Sequence, residues 1–86
     1  MNELINTTYE LTWRAAIIVK VGDGIADTVR GPEQALNCLT YRWPVSEGNH
    51  FNSGRLMCMR ALQKQACCEE AREAFISAAI EARMLA

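Results

Sequence analysis

From Cys68 onward the apolar residues Ala71, Phe75, Ala78, Ala82 and Leu85 recur three or four positions apart. Only a helix places such positions on one face. The spacing predicts a helix from about Cys68 to Met84. Alanine dominates its apolar stripe, which favours the helix intrinsically and lets a second helix approach closely. Phe75, at the midpoint, is the large side chain a core would form around. Glu69 and Arg72, three apart, can pair on the surface for only ~0.3 kcal/mol.

Two more helices precede it. Gly31-Pro32-Glu33 reads as a helix start, because proline at the first helical position loses no hydrogen bond and glutamate suits the positive end of the dipole. Leu36, Leu39 and Trp43 follow as one stripe, and Pro44 disfavours helix at Trp43. The polar stretch from Pro44 to Asn49 reads as loop. A second helix begins near Phe51 or Asn52 and runs to about Lys64, with Phe51, Gly54, Cys58, Ala61 and Leu62 inward.

Ahead of the helices the period changes. Trp13, Ala15, Ile17, Val19 and Val21 alternate with Arg14, Ala16, Ile18 and Lys20, the two-residue repeat of a strand. Gly22-Asp23-Gly24 supplies a turn, and Ile25 to Val29 returns antiparallel. These elements predict an α+β fold, an N-terminal antiparallel β-hairpin followed by three α-helices. It is one domain over residues 12–86, with residues 1–11 as a flexible arm. A lone hairpin is marginal in water, so this one must lie on the helices or pair with another chain.

Composition narrows the function classes. Nine basic residues against ten acidic ones leave a formal net charge of −1, without the clustered basic excess that nucleic-acid binding rests on. The first ten residues carry two glutamates and no basic residue, unlike a secretory leader. The run Ala15 to Val19 is far short of the roughly 20 apolar residues of a membrane span. A cytoplasmic location is expected, where four cysteines stay reduced.

Those cysteines are the first candidates for chemistry. Structural zinc sites present cysteines two to four residues apart, whereas here Cys67 and Cys68 are adjacent and Cys38, Cys58 and His50 lie in separate elements. No metal or cofactor is expected, and Cys38 and Cys58 read as small apolar core residues. A nucleophilic thiol needs a base within reach. His50 is the sole histidine, eight residues before Cys58, and nothing in the spacing requires the two to meet. Cys67-Cys68 sits at a helix start, which lowers a thiol pKa, but Glu69 and Glu70 oppose that. Cys58, Cys67 and Cys68 are therefore the candidate reactive thiols. Arg55, Arg60 and Lys64 read as a solvated helix face.

A scattered set of residues is familiar in combination: Glu33-Gln34-Ala35 with Leu39, Trp43-Pro44, Gly48, Cys58, Ala61-Leu62, and Ala71-Arg72 with Ala74-Phe75-Ile76 and Ala78-Ala79. Over residues 19–82 the chain resembles the small alphaproteobacterial proteins grouped as domain-of-unknown-function family 982. The family often has a glycine closing the second helix, where this chain has Lys64 or Gln65. It often has another after the terminal Glu-Ala, where this chain has Arg83. The resemblance implies a bacterial cytoplasmic origin and a hairpin-plus-helices fold, and it implies no activity or catalytic residue.

The functional expectation is a non-enzymatic interaction domain that self-associates as a homodimer or binds another protein. Ala16 and Ile18 form its interface, because the opposite face of the hairpin covers the helices. The alternative is a small-molecule- or redox-responsive thiol protein using Cys58 or Cys67-Cys68.

Overall fold

Pro32 opens the first helix as expected. Gly31, with extended backbone, is its N-cap, and Glu33 lies in the first turn. The computed structural model describes residues 12–20, 26–44 and 47–84. In it two strands, β1 (Ile17–Lys20) and β2 (Ala26–Val29), precede three helices: α1 (Pro32–Tyr41), α2 (Asn49–Leu62) and α3 (Cys68–Glu81). The strands pair antiparallel, with Ile17 opposite Val29 and Lys20 opposite Ala26. The α+β arrangement read from the sequence is the one observed. The expected arm over residues 1–11, the turn at Gly22 to Gly24, and Val21, Ile25 and Leu85 lie outside the described residues.

Phe75 is the centre of the core. Its ring, fully buried, is flanked by Trp13 at 6.0 Å and Trp43 at 5.5 Å between centroids, both tilted. Such tilted aromatic pairs add ≈ 0.5–1.5 kcal/mol beyond the area they bury. The Trp13 indole N–H is buried with no hydrogen-bond partner among the described residues. An orphaned donor of this kind costs about 1–3 kcal/mol, which the burial of the ring must offset. Around Phe75, the buried residues Ala71, Ala78 and Ala79 of α3 meet Phe51, Gly54, Cys58 and Ala61 of α2. A Cβ on Gly54 would stand 3.5 Å from Ala78 Cβ and 3.5 Å from Leu39 Cδ1, so α1, α2 and α3 converge there.

Several boundaries depart from the sequence reading, each for a local reason. The first strand is shorter than the alternation suggested. Trp13 lies outside it although buried, and the chain bends between Trp13 and Ile17. The Arg72 Nε–H donates to the Ala15 carbonyl at 2.9 Å, so Arg72 serves the hairpin approach. Helix α1 stops at Tyr41, and Trp43 packs on Phe75 from beyond the helix end.

Helix α2 begins at Asn49, two or three residues earlier than expected, because it is capped from across the fold. Glu81 Oε1, at the end of α3, accepts the Phe51 N–H at 3.2 Å. Gly48 makes room for that carboxylate: its φ is +124° and a Cβ there would lie 2.8 Å from Glu81 Oε1.

The two helix ends at which the family's glycines are replaced close in the same way. Lys64 and Arg83 both adopt left-handed backbone, with φ of 61° and 59°. Lys64 N–H donates to Ala61 O at 3.0 Å and Gln65 N–H to Arg60 O at 2.7 Å. Arg83 N–H donates to Ile80 O at 3.0 Å and Met84 N–H to Ala79 O at 2.8 Å. Both are Schellman closures, the motif that ordinarily favours glycine. The turn at Arg83 sends Met84 back over the hairpin, where its side chain is buried and its carbonyl accepts the Lys20 N–H at 2.7 Å.

Candidate functional site

Alternation along β1 divides the hairpin into two faces. Ile17, Val19 and Val29 are buried against the helices, whereas Ile18 is 48% exposed and Ala16, Ala26 and Thr28 share its exposure. Ile18 therefore stands on the side turned away from the helices, and Ala16 lies ahead of β1 in the stretch from Arg14 that is exposed throughout, Ala15 included, although the alternation puts Ala15 inward.

Beside this face, β2 and α1 enclose an open cleft of about 450 Å³ lined by Asp27, Thr28, Val29, Gln34, Asn37, Cys38, Tyr41 and Arg42. Its charges are internally matched, since Arg42 Nη2 lies 2.8 Å from Asp27 Oδ2. Gln34 Oε1 accepts the Arg30 N–H at 2.7 Å and ties α1 to the end of β2. Tyr41, at the rim, is 81% exposed. The sequence reading did not single out this cleft. Its signal was the second stripe of α1: Gln34, Asn37 and Tyr41 recur at helical spacing opposite Leu36 and Leu39, an aromatic on a polar face.

All four cysteines are thiols; Cys58, Cys67 and Cys68 lie close enough to act on one another, and Cys38 stands apart. Cys38 is buried at the floor of the cleft; burial pushes its pKa up, with the Asp27 charge adding and Arg42 opposing. Cys58 is sealed between helices and pushed up to about 12 by burial, then by Cys68. Cys68 is raised as well, by burial first and then by Cys67 and Glu69. Cys67, exposed, is the N-cap of α3 and forms a capping box with Glu70, whose Oε1 accepts its N–H at 3.3 Å. At neutral pH a thiol raised as far as Cys58 is protonated and a poor nucleophile. Of the three candidate thiols, Cys67 alone combines exposure with no buried environment. His50 is exposed on the first turn of α2. Among the described residues no three His, Cys, Asp or Glu side chains gather to hold a metal ion, and no helix is long and apolar enough to cross a membrane.

The comparisons with known proteins agree with this fold. The chain is similar to the NMR structure of the Agrobacterium tumefaciens protein Atu1219, with a TM-score of 0.74 and 22% sequence identity over 90% of this chain and 77% of that one. At that identity the likeness concerns the fold. No curated protein matches the chain. The model of the family described as protein of unknown function (DUF982) matches residues 15–86, which takes in both strands, all three helices and the residues that carry the resemblance. The chain belongs to the DUF982 family.

Proposed function

We propose that this chain is a non-enzymatic interaction domain of the cytoplasm whose partner is a second copy of itself. One observation carries the reading. Ile18, at the middle of a short strand, is half exposed on the outer face of a two-stranded sheet. Its neighbour across the ladder on that face is Thr28, which leaves much of the large β-branched side chain uncovered. Exposed sheet surface of this kind invites pairing with another chain. The near-neutral net charge of −1 offers little repulsion against association. Four unbridged thiols suit the reducing cytoplasm.

Sedimentation equilibrium from low to high micromolar concentration tests this. A concentration-dependent dimer is the expected result, and Ile18→Lys shifts it to monomer while helical circular dichroism is preserved. A wild-type chain that stays monomeric throughout the range overturns the proposal. Unfolding of Ile18→Lys would mean that Ile18 belongs to the core of a single chain.

A further inference from the structure

The cleft between β2 and α1 holds a carboxylate that is paired in charge but not in hydrogen bonding. Asp27 Oδ2 is buried, and no group among the described residues donates a hydrogen bond to it. Arg42 Nη2 lies 2.8 Å away, close enough for Coulomb attraction, yet its N–H groups are not aimed at the oxygen. A buried acceptor without a donor is an unmet demand, and the demand is greatest for a charged group. The Arg42 side chain is half exposed and that of Asp27 a third exposed. Displacing the guanidinium from Oδ2 therefore breaks a contact without breaking a hydrogen bond.

Both charges stand over an apolar floor. Val29 and Cys38 line the cleft and are buried, and the Cys38 thiol feels Asp27 and Arg42 in opposite senses. Tyr41 sets an exposed aromatic ring at the mouth. At about 450 Å³ the cleft falls within the roughly 300–1,000 Å³ of small-molecule sites.

We propose that this cleft binds a free α-amino acid with an apolar side chain, its ammonium group donating to Asp27 and its carboxylate accepting from Arg42. The ligand side chain lies on Val29 and Cys38, under the Tyr41 ring. The arrangement of charge selects this class. A simple anion drawn to Arg42 meets the Asp27 carboxylate beside it, and a simple cation drawn to Asp27 meets the guanidinium. A zwitterion meets each with the right sign and leaves the cleft as neutral as before. Because the two protein charges touch, the ligand charges must be adjacent too, as they are on a single α-carbon. The ammonium supplies the donor that Oδ2 lacks, and the released guanidinium offers the carboxylate its forked donors. Ile18 lies outside the cleft lining, so this site is separate from the surface proposed for self-association.

Titration of the full chain with L-leucine, followed through its amide chemical shifts, tests the assignment. Saturable binding in the millimolar range or tighter is expected, with the largest shifts in β2 and around Tyr41 and Arg42. Isocaproate lacks the ammonium group and isoamylamine lacks the carboxylate. Each should bind at least tenfold more weakly, the factor that losing one charge-assisted hydrogen-bonded group carries. Asp27→Asn and Arg42→Gln should each weaken leucine binding tenfold or more, with helical circular dichroism unchanged. No binding of leucine overturns the proposal, as does isocaproate or isoamylamine binding equally well. Leucine binding that survives both substitutions places the ligand elsewhere and also overturns it. Should Asp27→Asn disturb the fold, Arg42→Gln, at a half-exposed position, decides the matter alone. Sedimentation reads self-association separately, so a monomeric chain that binds leucine overturns only the dimer reading.

Discussion

The α2–α3 pair and the hairpin face the same physical problem and meet it unequally. Each helix has a face to bury, and the two helices bury theirs on each other. Ala71, Phe75, Ala78 and Ala79 lie against Phe51, Gly54, Cys58 and Ala61, all with almost no exposure. Even their ends are served from inside the chain, as Glu81 of α3 caps α2. The hairpin buries one face on that unit and leaves the other, with Ile18 and the Thr28 edge, toward solvent. A helix satisfies its backbone internally, whereas a strand needs neighbours on both sides. The hairpin therefore keeps one face toward solvent, with Ile18 half exposed on it.

The sharpest way to break this comparison is to remove the residue both halves share. Phe75→Ala deletes the ring that Trp13 of the hairpin approach and Trp43 both pack on. A loss of about 3–5 kcal/mol is expected, read as a shift of the urea midpoint with both regions unfolding together. If the hairpin residues lost protection while helical circular dichroism survived, the two regions would be separate folding units.

A second test probes how tightly the helical half is sealed. The Cys58 pKa is about 12 in the folded chain against an ordinary value of 9.0. Between those values the unfolded chain releases a proton that the folded chain retains, so stability is full below pH 9 and falls as pH rises from about 9 towards 12. Cys38 and Cys68, also raised, act in the same direction. The decline in unfolding free energy should reach a few kcal/mol, at roughly 1.4 kcal/mol per pH unit for one such group. Cys58→Ala should flatten it. An unchanged alkaline slope in that variant would show that Cys58 reaches solvent.

The smallest expected effect lies at the joint between the two regions. Arg83 holds left-handed backbone to turn Met84 onto β1, a conformation that costs a side-chain-bearing residue roughly 1 kcal/mol relative to glycine. Arg83→Gly should raise stability by up to about 1 kcal/mol in thermal or chemical denaturation. Destabilisation would mean that the Arg83 side chain, which lines a small cleft with Trp43, Glu47 and Glu81, contributes more than the backbone strain costs.

The sequence was most legible where periodicity and burial coincide. The stripe through Ala71, Phe75 and Ala78 named the buried face of α3, and the odd positions Ile17 and Val19 named the covered face of β1. Legibility failed at the boundaries. Helix α2 starts at Asn49 because Glu81, thirty residues away, accepts its amide, and no local pattern records such a cap. Trp43 looked like the last residue of the α1 stripe but packs from outside the helix. The candidate site divides in the same way. Ile18 followed from alternation, which breaks ahead of β1 where Ala15 is exposed with Ala16, whereas the cleft between β2 and α1 required knowing that Thr28 and Tyr41 both line it.

Element type, element order and the inward faces were thus set by the sequence alone. They depend on interactions within a few residues: the periods of 3.6 and 2, and proline at a helix start. The tertiary structure alone decided which thiol is sealed and which exposed, how Glu81 caps α2, and that Lys64 and Arg83 stand in for glycine. It also decided that the β2 edge opens onto a cleft while Met84 lies along the β1 edge. Each of these depends on residues far apart in the chain being held together by the collapse around Phe75, and contacts of that range leave no local pattern in a single sequence.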